Sequence, residues 1–241
     1  MDHSEPIEIT AVVPVFNEEE NLPVLIPKLV EVLKDFGLTY EMIFVDDGSS
    51  DGSRRILKEM VSQYPALRII GLKENRGLST ALYVGVKEAR GNKIITLDAD
   101  LQNDPADIPR LMSFLDDYDI ATGWRQKRED PWLKRISSRV ANSIRNRLTG
   151  ETINDSACTL RVFKRECIEN IPIFNGMHRF FSTLVKMEGY RMIEVPISHH
   201  QRKFGISKYN IRNRMVRSFI DLLAVRWMKS RHIHYDIEER I

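Results

Sequence analysis

The first hundred residues repeat one alternation, and that alternation leaves few folds open. Four short apolar runs, at residues 7–15, 41–45, 67–72 and 94–97, are separated by stretches whose apolar residues fall at helical spacing. The clearest of these covers 22–36, with Leu22, Leu25, Ile26, Leu29, Val30 and Leu33 on one face and Gly37 as its stop. Helices over 54–63 and 78–89 follow the second and third runs. Strand and helix in this rhythm predict an α/β fold: a Rossmann-like, mostly parallel sheet with right-handed crossovers and helices on both faces. No G-x-G-x-x-G follows the first strand, which weighs against NAD or FAD.

The fourth run leads into Asp98-Ala99-Asp100-Leu101-Gln102. In an extended segment alternate side chains point the same way, so Asp98, Asp100 and Gln102 would aim at one point. In open α/β sheets ligands bind beyond the carboxyl ends of the strands. Two carboxylates and an amide oxygen suit a hard cation, Mg²⁺ or Mn²⁺, that takes its other ligands from phosphates and water. A surface turn is the competing reading, because aspartate is common where strands end.

Past residue 103 the pattern predicts a helix from Asp104 to about 115, a strand at 118–123, a helix over 132–148 and a strand at 155–163. Gly176-Met177-His178-Arg179 precedes a helix that reaches about 188, a last strand covers 191–195, and a polar loop at 199–209 precedes a final helix over 211–229. Charge divides the chain: residues 1–124 carry 12 Lys and Arg against 22 Asp and Glu, and residues 125–241 carry 24 against 12. An acidic half joined to a basic half fits a metal or nucleotide site facing a part that handles anions. Cys158 and Cys167 have no metal spacing and read as core residues of a reducing compartment. The acidic N-terminus is no signal peptide, and no run of 18 apolar residues occurs, so a cytoplasmic location is expected.

Five blocks in order carry a resemblance: Val12-Val13-Pro14-Val15-Phe16-Asn17-Glu18, Val45-Asp46-Asp47-Gly48-Ser49, Asn75-Arg76-Gly77, Asp98-Ala99-Asp100-Leu101-Gln102, and Arg202-Lys203-Phe204-Gly205-Ile206-Ser207-Lys208-Tyr209. The set resembles the family 2 glycosyltransferases with the GT-A fold, and within them the dolichol-phosphate mannose synthase and polyprenyl-phosphate glycosyltransferase group. The resemblance implies a catalytic domain at 1–210 (nucleotide half 1–124, acceptor half 125–210), an amphipathic helix at 211–231 and a polar tail at 232–241. It implies inverting transfer of a sugar from a nucleotide-diphosphate sugar to a polyprenyl phosphate, with Mg²⁺ or Mn²⁺ as cofactor. Pro14, Phe16, Glu18, Val45, Asp47, Asp98 and Ala99 would meet the nucleotide, and Arg202 and Lys208 its diphosphate. Asp100 and Gln102 would ligate the cation, with Asp98 in its shell or at the ribose. Arg125, Lys134 or Arg135, and Ser138 would take the acceptor's phosphate; two alignments compete along 134–139. Asp98, Asp100 and Arg202 are the catalytic candidates.

Asp155 is a candidate base or positioning residue, or else a turn cap. A phosphate acceptor is already anionic at pH 7 and needs little help from a base, whereas a hydroxyl acceptor needs one. Alternatives are therefore transfer to a glycan or lipid hydroxyl, and a non-catalytic anion-binding module; zinc spacings and RNP aromatics are absent, so no nucleic-acid partner is expected. On the last helix Met215, Val216, Phe219, Ile220, Leu223 and Trp227 form one stripe amid basic residues. Such a helix lies in a membrane interface, or packs on the domain or on another subunit. The localisation this implies is peripheral, on the cytoplasmic face of the membrane, through direct contact or a membrane partner subunit, with a homo-oligomer possible.

Overall fold

The computed structural model describes residues 6–126, 142–202, 204, 211–233 and 239. Its centre is a sheet of β1 (Ile9–Val15), β2 (Tyr40–Asp46), β3 (Leu67–Gly71), β4 (Lys93–Thr96), β5 (Ile120–Trp124), β6 (Arg161–Lys164) and β7 (Met192–Pro196). The spatial order is β3-β2-β1-β4-β6-β5-β7. The first four strands are mutually parallel, as the βαβ rhythm requires. β6 runs antiparallel between β4 and β5, and β7 is parallel to β5. Strands from both charge halves thus share one sheet.

Helices α1 (Leu22–Lys34), α2 (Ser53–Val61), α3 (Leu78–Glu88), α4 (Ile108–Met112), α5 (residues 142–149), α6 (Phe181–Met187) and α7 (Ile211–Arg231) surround it. Alternation along β1 sends Ala11, Val13 and Val15 into one core, with α1, and Val12 into the other, with α3 and α6. α3 lies so close to the sheet that a Cβ on Gly85 would stand 2.4 Å from a methyl of Val12. No helix among the described residues is long and apolar enough to cross a membrane.

Two elements are shorter than their sequence pattern suggests, each for a local reason. Residues 104–115 form a 3₁₀ turn, Pro105–Asp107, before the five-residue α4, because Pro109 lacks the backbone donor that would bond the Pro105 carbonyl in one continuous α-helix. The strand expected at 155–163 begins only at Arg161; the Asp155 amide is held by Glu194 at 2.8 Å rather than by a neighbouring strand. The helix expected to follow Gly176-Met177-His178-Arg179 is α6, and those residues hold a 3₁₀ turn, Met177–Arg179, that leads into it.

Candidate active site

The carboxyl ends of β1, β2 and β4 lie side by side, and their loops differ in how tightly they are tied. Beyond β1, Asn17 adopts a left-handed φ of 54°. Its side-chain oxygen accepts from the Ser50 amide at 2.7 Å, and its own amide donates to the Ser49 hydroxyl at 2.9 Å. Beyond β2, Asp46 accepts from the Ser49 amide at 3.0 Å and pairs with Arg54. Asp47 accepts from the backbone amides of Arg76 at 2.7 Å and Gly77 at 2.8 Å. Burial, opposed by those two bonds, raises the Asp47 carboxyl above its usual range. Gly48 has φ of +70°, and a Cβ there would meet the backbone of Glu74 and Asn75 at 2.6 Å, so only glycine lets the two loops touch.

The β4 loop is built otherwise. The strand ends at Thr96, and Asp98 to Gln102 is a turn rather than an extension of it. Leu101 takes a left-handed φ of 60°, rare for a branched residue, with its side chain buried in the core. The alternation expected for Asp98, Asp100 and Gln102 therefore does not hold. Instead the turn folds back: the Gln102 amide donates to Asp100 at 3.2 Å, and the Gln102 carbonyl accepts from His200 at 2.9 Å. The half-buried Asp98 carboxyl is pushed up to about 6, first by burial and then by the charge of Asp100; a Thr159 hydrogen bond and the charges of Arg125 and Arg161 oppose the rise. A carboxylate raised by burial and by the charge of its neighbour suits a bound cation, which would relieve the repulsion between the two. No group of three His, Cys, Asp or Glu poised for a metal occurs among the described residues.

The basic half closes on this edge from two directions. Arg202 reaches Glu18 at 2.6 Å and Asp100 at 3.8 Å, so three segments of the chain meet there. Arg125, just past β5, grips Asp155 through two parallel bonds of 2.7 and 2.9 Å. The pair is nearly closed to solvent, and it holds the Arg125 guanidinium firmly charged despite the cost of burial. With both oxygens so engaged, Asp155 orients Arg125 and is poorly placed to collect a proton. Pro14, Val45 and Ala99 are buried, Val45 wholly so in the core against α3; Phe16 is partly exposed at the crevice. Lys134, Arg135, Ser138 and Lys208 lie outside the described residues, as do Lys203, Gly205, Ile206, Ser207 and Tyr209.

One residue near the centre escaped sequence reasoning. Arg161, which opens β6, is 2% exposed; it donates to the carbonyls of Ser156 and His178 and stacks on Phe181 with 4.9 Å to the ring centroid. The signal was a charge inside the apolar stretch Leu160 to Phe163, since arginine is almost never fully buried without partners. His178 bonds Ser79 at the start of α3 at 2.7 Å; His199 forms a bridge with Asn103, and His200 lies 3.5 Å from Asp104.

A family model described as "Glycosyl transferase family 2" matches residues 10–171, spanning all of these strand ends through β6. The chain belongs to glycosyltransferase family 2. It is an enzyme, and the non-catalytic alternative falls with that membership. The dodecaprenyl-phosphate galacturonate synthase of Rhizobium johnstonii is 36% identical over 230 residues, covering 93% of this chain and 68% of its own. Solved structures agree on the fold. The glucosyl-3-phosphoglycerate synthase of Mycobacterium tuberculosis, in complex with Mn²⁺, UDP and phosphoglyceric acid, superposes with a TM-score of 0.68 at 16% identity, over 92% of this chain and 78% of that one. The mannosyltransferase PcManGT of Pyrobaculum calidifontis, in complex with GDP-Man and Mn²⁺, gives 0.64 at 20%, over 97% and 68%. The family 2 transferase described here therefore has the GT-A arrangement: a mostly parallel, seven-stranded sheet flanked by helices.

Proposed function

We propose that this transferase moves a sugar from a nucleotide-diphosphate sugar to a polyprenyl phosphate, with inversion, at the cytoplasmic face of a membrane. The observation that carries the reading is the presence of two separate arginines at one carboxylate pair. Arg202 stands against Asp100, and Arg125 stands within electrostatic reach of Asp98. A transfer between two phosphates needs two such anion grips, one for the leaving diphosphate and one for the attacking phosphate.

Glu18 and the loops beyond β1 and β2 form the nucleoside end, with Phe16, Asp47 and the backbone around Pro14, Val45 and Ala99 as its walls. Asp98, Asp100 and Gln102 hold Mg²⁺ or Mn²⁺, which when bound would neutralise charge on the diphosphate as the sugar bond breaks. Arg202, with Lys208 from the same loop, grips that diphosphate; arginine offers a forked contact and lysine a point charge. Arg125, held rigid by Asp155, orients the acceptor phosphate together with Lys134 or Arg135 and Ser138. The acceptor oxygen forms a bond to the anomeric carbon as that carbon's bond to the donor phosphate breaks, and the nucleoside diphosphate leaves. The acceptor is already ionised, so no base is required. A hydroxyl acceptor would need one, and the engagement of Asp155 by Arg125 counts against that alternative. A lipid acceptor also places the enzyme at a bilayer. The 36% identical synthase, named for a dodecaprenyl-phosphate product, supports the same acceptor class.

The test has two parts. A thermal-shift panel of UDP, GDP and dTDP sugars with Mn²⁺ is expected to single out one nucleotide. Transfer from a labelled donor is then expected to put label into a lipid phosphate cleaved by mild acid. Label in an acid-stable glycoside would instead establish a hydroxyl acceptor.

A further inference from the structure

α7 has two opposite faces that bury or expose apolar groups, and only one is covered. At about 3.6 residues per turn, Ser218, Asp221, Leu222, Val225 and Lys229 share one side. Leu222 and Val225 are buried in the core that also holds α3 and α6. Asp221 pairs with Arg179 at 2.9 Å, and Arg179 also reaches Ser218. Lys229 donates to the Thr149 carbonyl at 2.8 Å and pairs with Glu151. This side fixes the helix to the domain.

Half a turn away, Val216, Phe219, Ile220, Leu223 and Trp227 form a stripe at i, i+3, i+4, i+7 and i+11, and each is between 47% and 64% exposed. Packing on the domain, one of the three roles the sequence allows this stripe, is thus taken by different residues. Exposed Arg217 and Arg231 flank the stripe on one side and exposed Arg226 on the other. Asp221, the sole acid from 211 to 231, is turned inward by Arg179. An apolar stripe this continuous on a rigid helix marks an interaction surface.

We propose that this face of α7 lies flat in the headgroup region of an anionic bilayer. Phe219, Ile220, Leu223 and Trp227 enter the acyl boundary, while Arg217, Arg226 and Arg231 extend sideways to lipid phosphates. Charge decides the occupant. A second copy packed through the same face would bring the like-charged arginine flanks together, since a two-fold interface apposes a patch to itself. An anionic surface instead complements both flanks at once. The choice of a bilayer rests on the lipid-acceptor reading; the exposure of the stripe does not.

The test is flotation of the full chain with vesicles of phosphatidylglycerol and phosphatidylcholine, against phosphatidylcholine alone. Wild type is expected to float with the anionic vesicles, less so as salt rises, and weakly with the neutral ones. F219Q/W227Q should cut the bound fraction at least about tenfold in partition constant. R217Q/R226Q should remove most of the preference for anionic lipid. Unchanged circular dichroism and melting temperature would show that both variants fold, as expected for exposed positions. Absence of wild-type flotation, or flotation unchanged in F219Q/W227Q, would overturn the proposal. So would dimers in sedimentation velocity that F219Q/W227Q dissolves while wild type ignores vesicles. Nucleotide-sugar thermal shifts on the same preparations keep the two readings apart: flotation without any donor response contradicts the proposed reaction and leaves the docking face standing.

Discussion

At the end of β2, Asp46 and Asp47 are folded into their surroundings: Asp46 accepts one backbone amide and pairs with Arg54, and Asp47 accepts two backbone amides. At the end of β4, Asp98 and Asp100 crowd one another, and Asp98 is raised to about 6. Both pairs end parallel strands two positions apart in the sheet, with β1 between them. The difference lies in what approaches them. The 75–77 turn brings donors to Asp47, whereas the left-handed turn at Leu101 sets Asp100 in front of Arg202. In the proposed reaction one pair builds the crevice and the other does chemistry in it.

The comparison is broken most directly by removing one carboxylate from each pair. Asp100→Ala is expected to lower transfer by about 10³-fold, several kcal/mol of lost charge stabilisation, with little change in the urea unfolding midpoint. Asp47→Ala should leave two backbone donors without their acceptor and cost roughly 2–3 kcal/mol of stability, read as a lower urea midpoint. If Asp47→Ala kept full stability and lost only activity, the division between the two pairs would be wrong. Arg202→Gln sharpens it further. Loss of the cation beside Asp100 should tighten Mn²⁺ binding without nucleotide by about fivefold, seen by electron paramagnetic resonance, and weaken the nucleoside diphosphate by about tenfold.

The sequence carried the alternation of strands and helices because buried strands and amphipathic helices are local patterns, and residues 9–96 alternate as expected. It carried the positions of Asp98 and Asp100 but not their geometry, since nothing local announces a left-handed Leu101. Contacts made at long range were illegible for a different reason. The Arg125–Asp155 fork joins residues 30 apart, and Arg161 depends on the His178 carbonyl and the Phe181 ring. The stripe on α7 was readable as apolar, yet which face the domain covers depends on Arg179, far from it in sequence.

A third kind of carboxylate gives the smallest effect. Glu41, near the start of β2, is buried; burial alone would raise it, but hydrogen bonds from Arg90 and Arg68 outweigh this and hold it below its ordinary range. Its folded value therefore lies under its unfolded value of about 4.3. The stability it contributes is complete above the unfolded value and is lost as pH falls through the folded one. Urea midpoints from pH 7 downward should decline more steeply in wild type than in Glu41→Gln.

The central claim is a cation-assisted transfer between two phosphates, run from the β4 carboxylates. Its most direct test is transfer of labelled sugar by the wild-type chain from its preferred nucleotide donor to a polyprenyl phosphate, with Mn²⁺ or with excess chelator. The account predicts a mild-acid-labile lipid product that forms with Mn²⁺ and disappears with chelator. Undiminished product in chelator would contradict it.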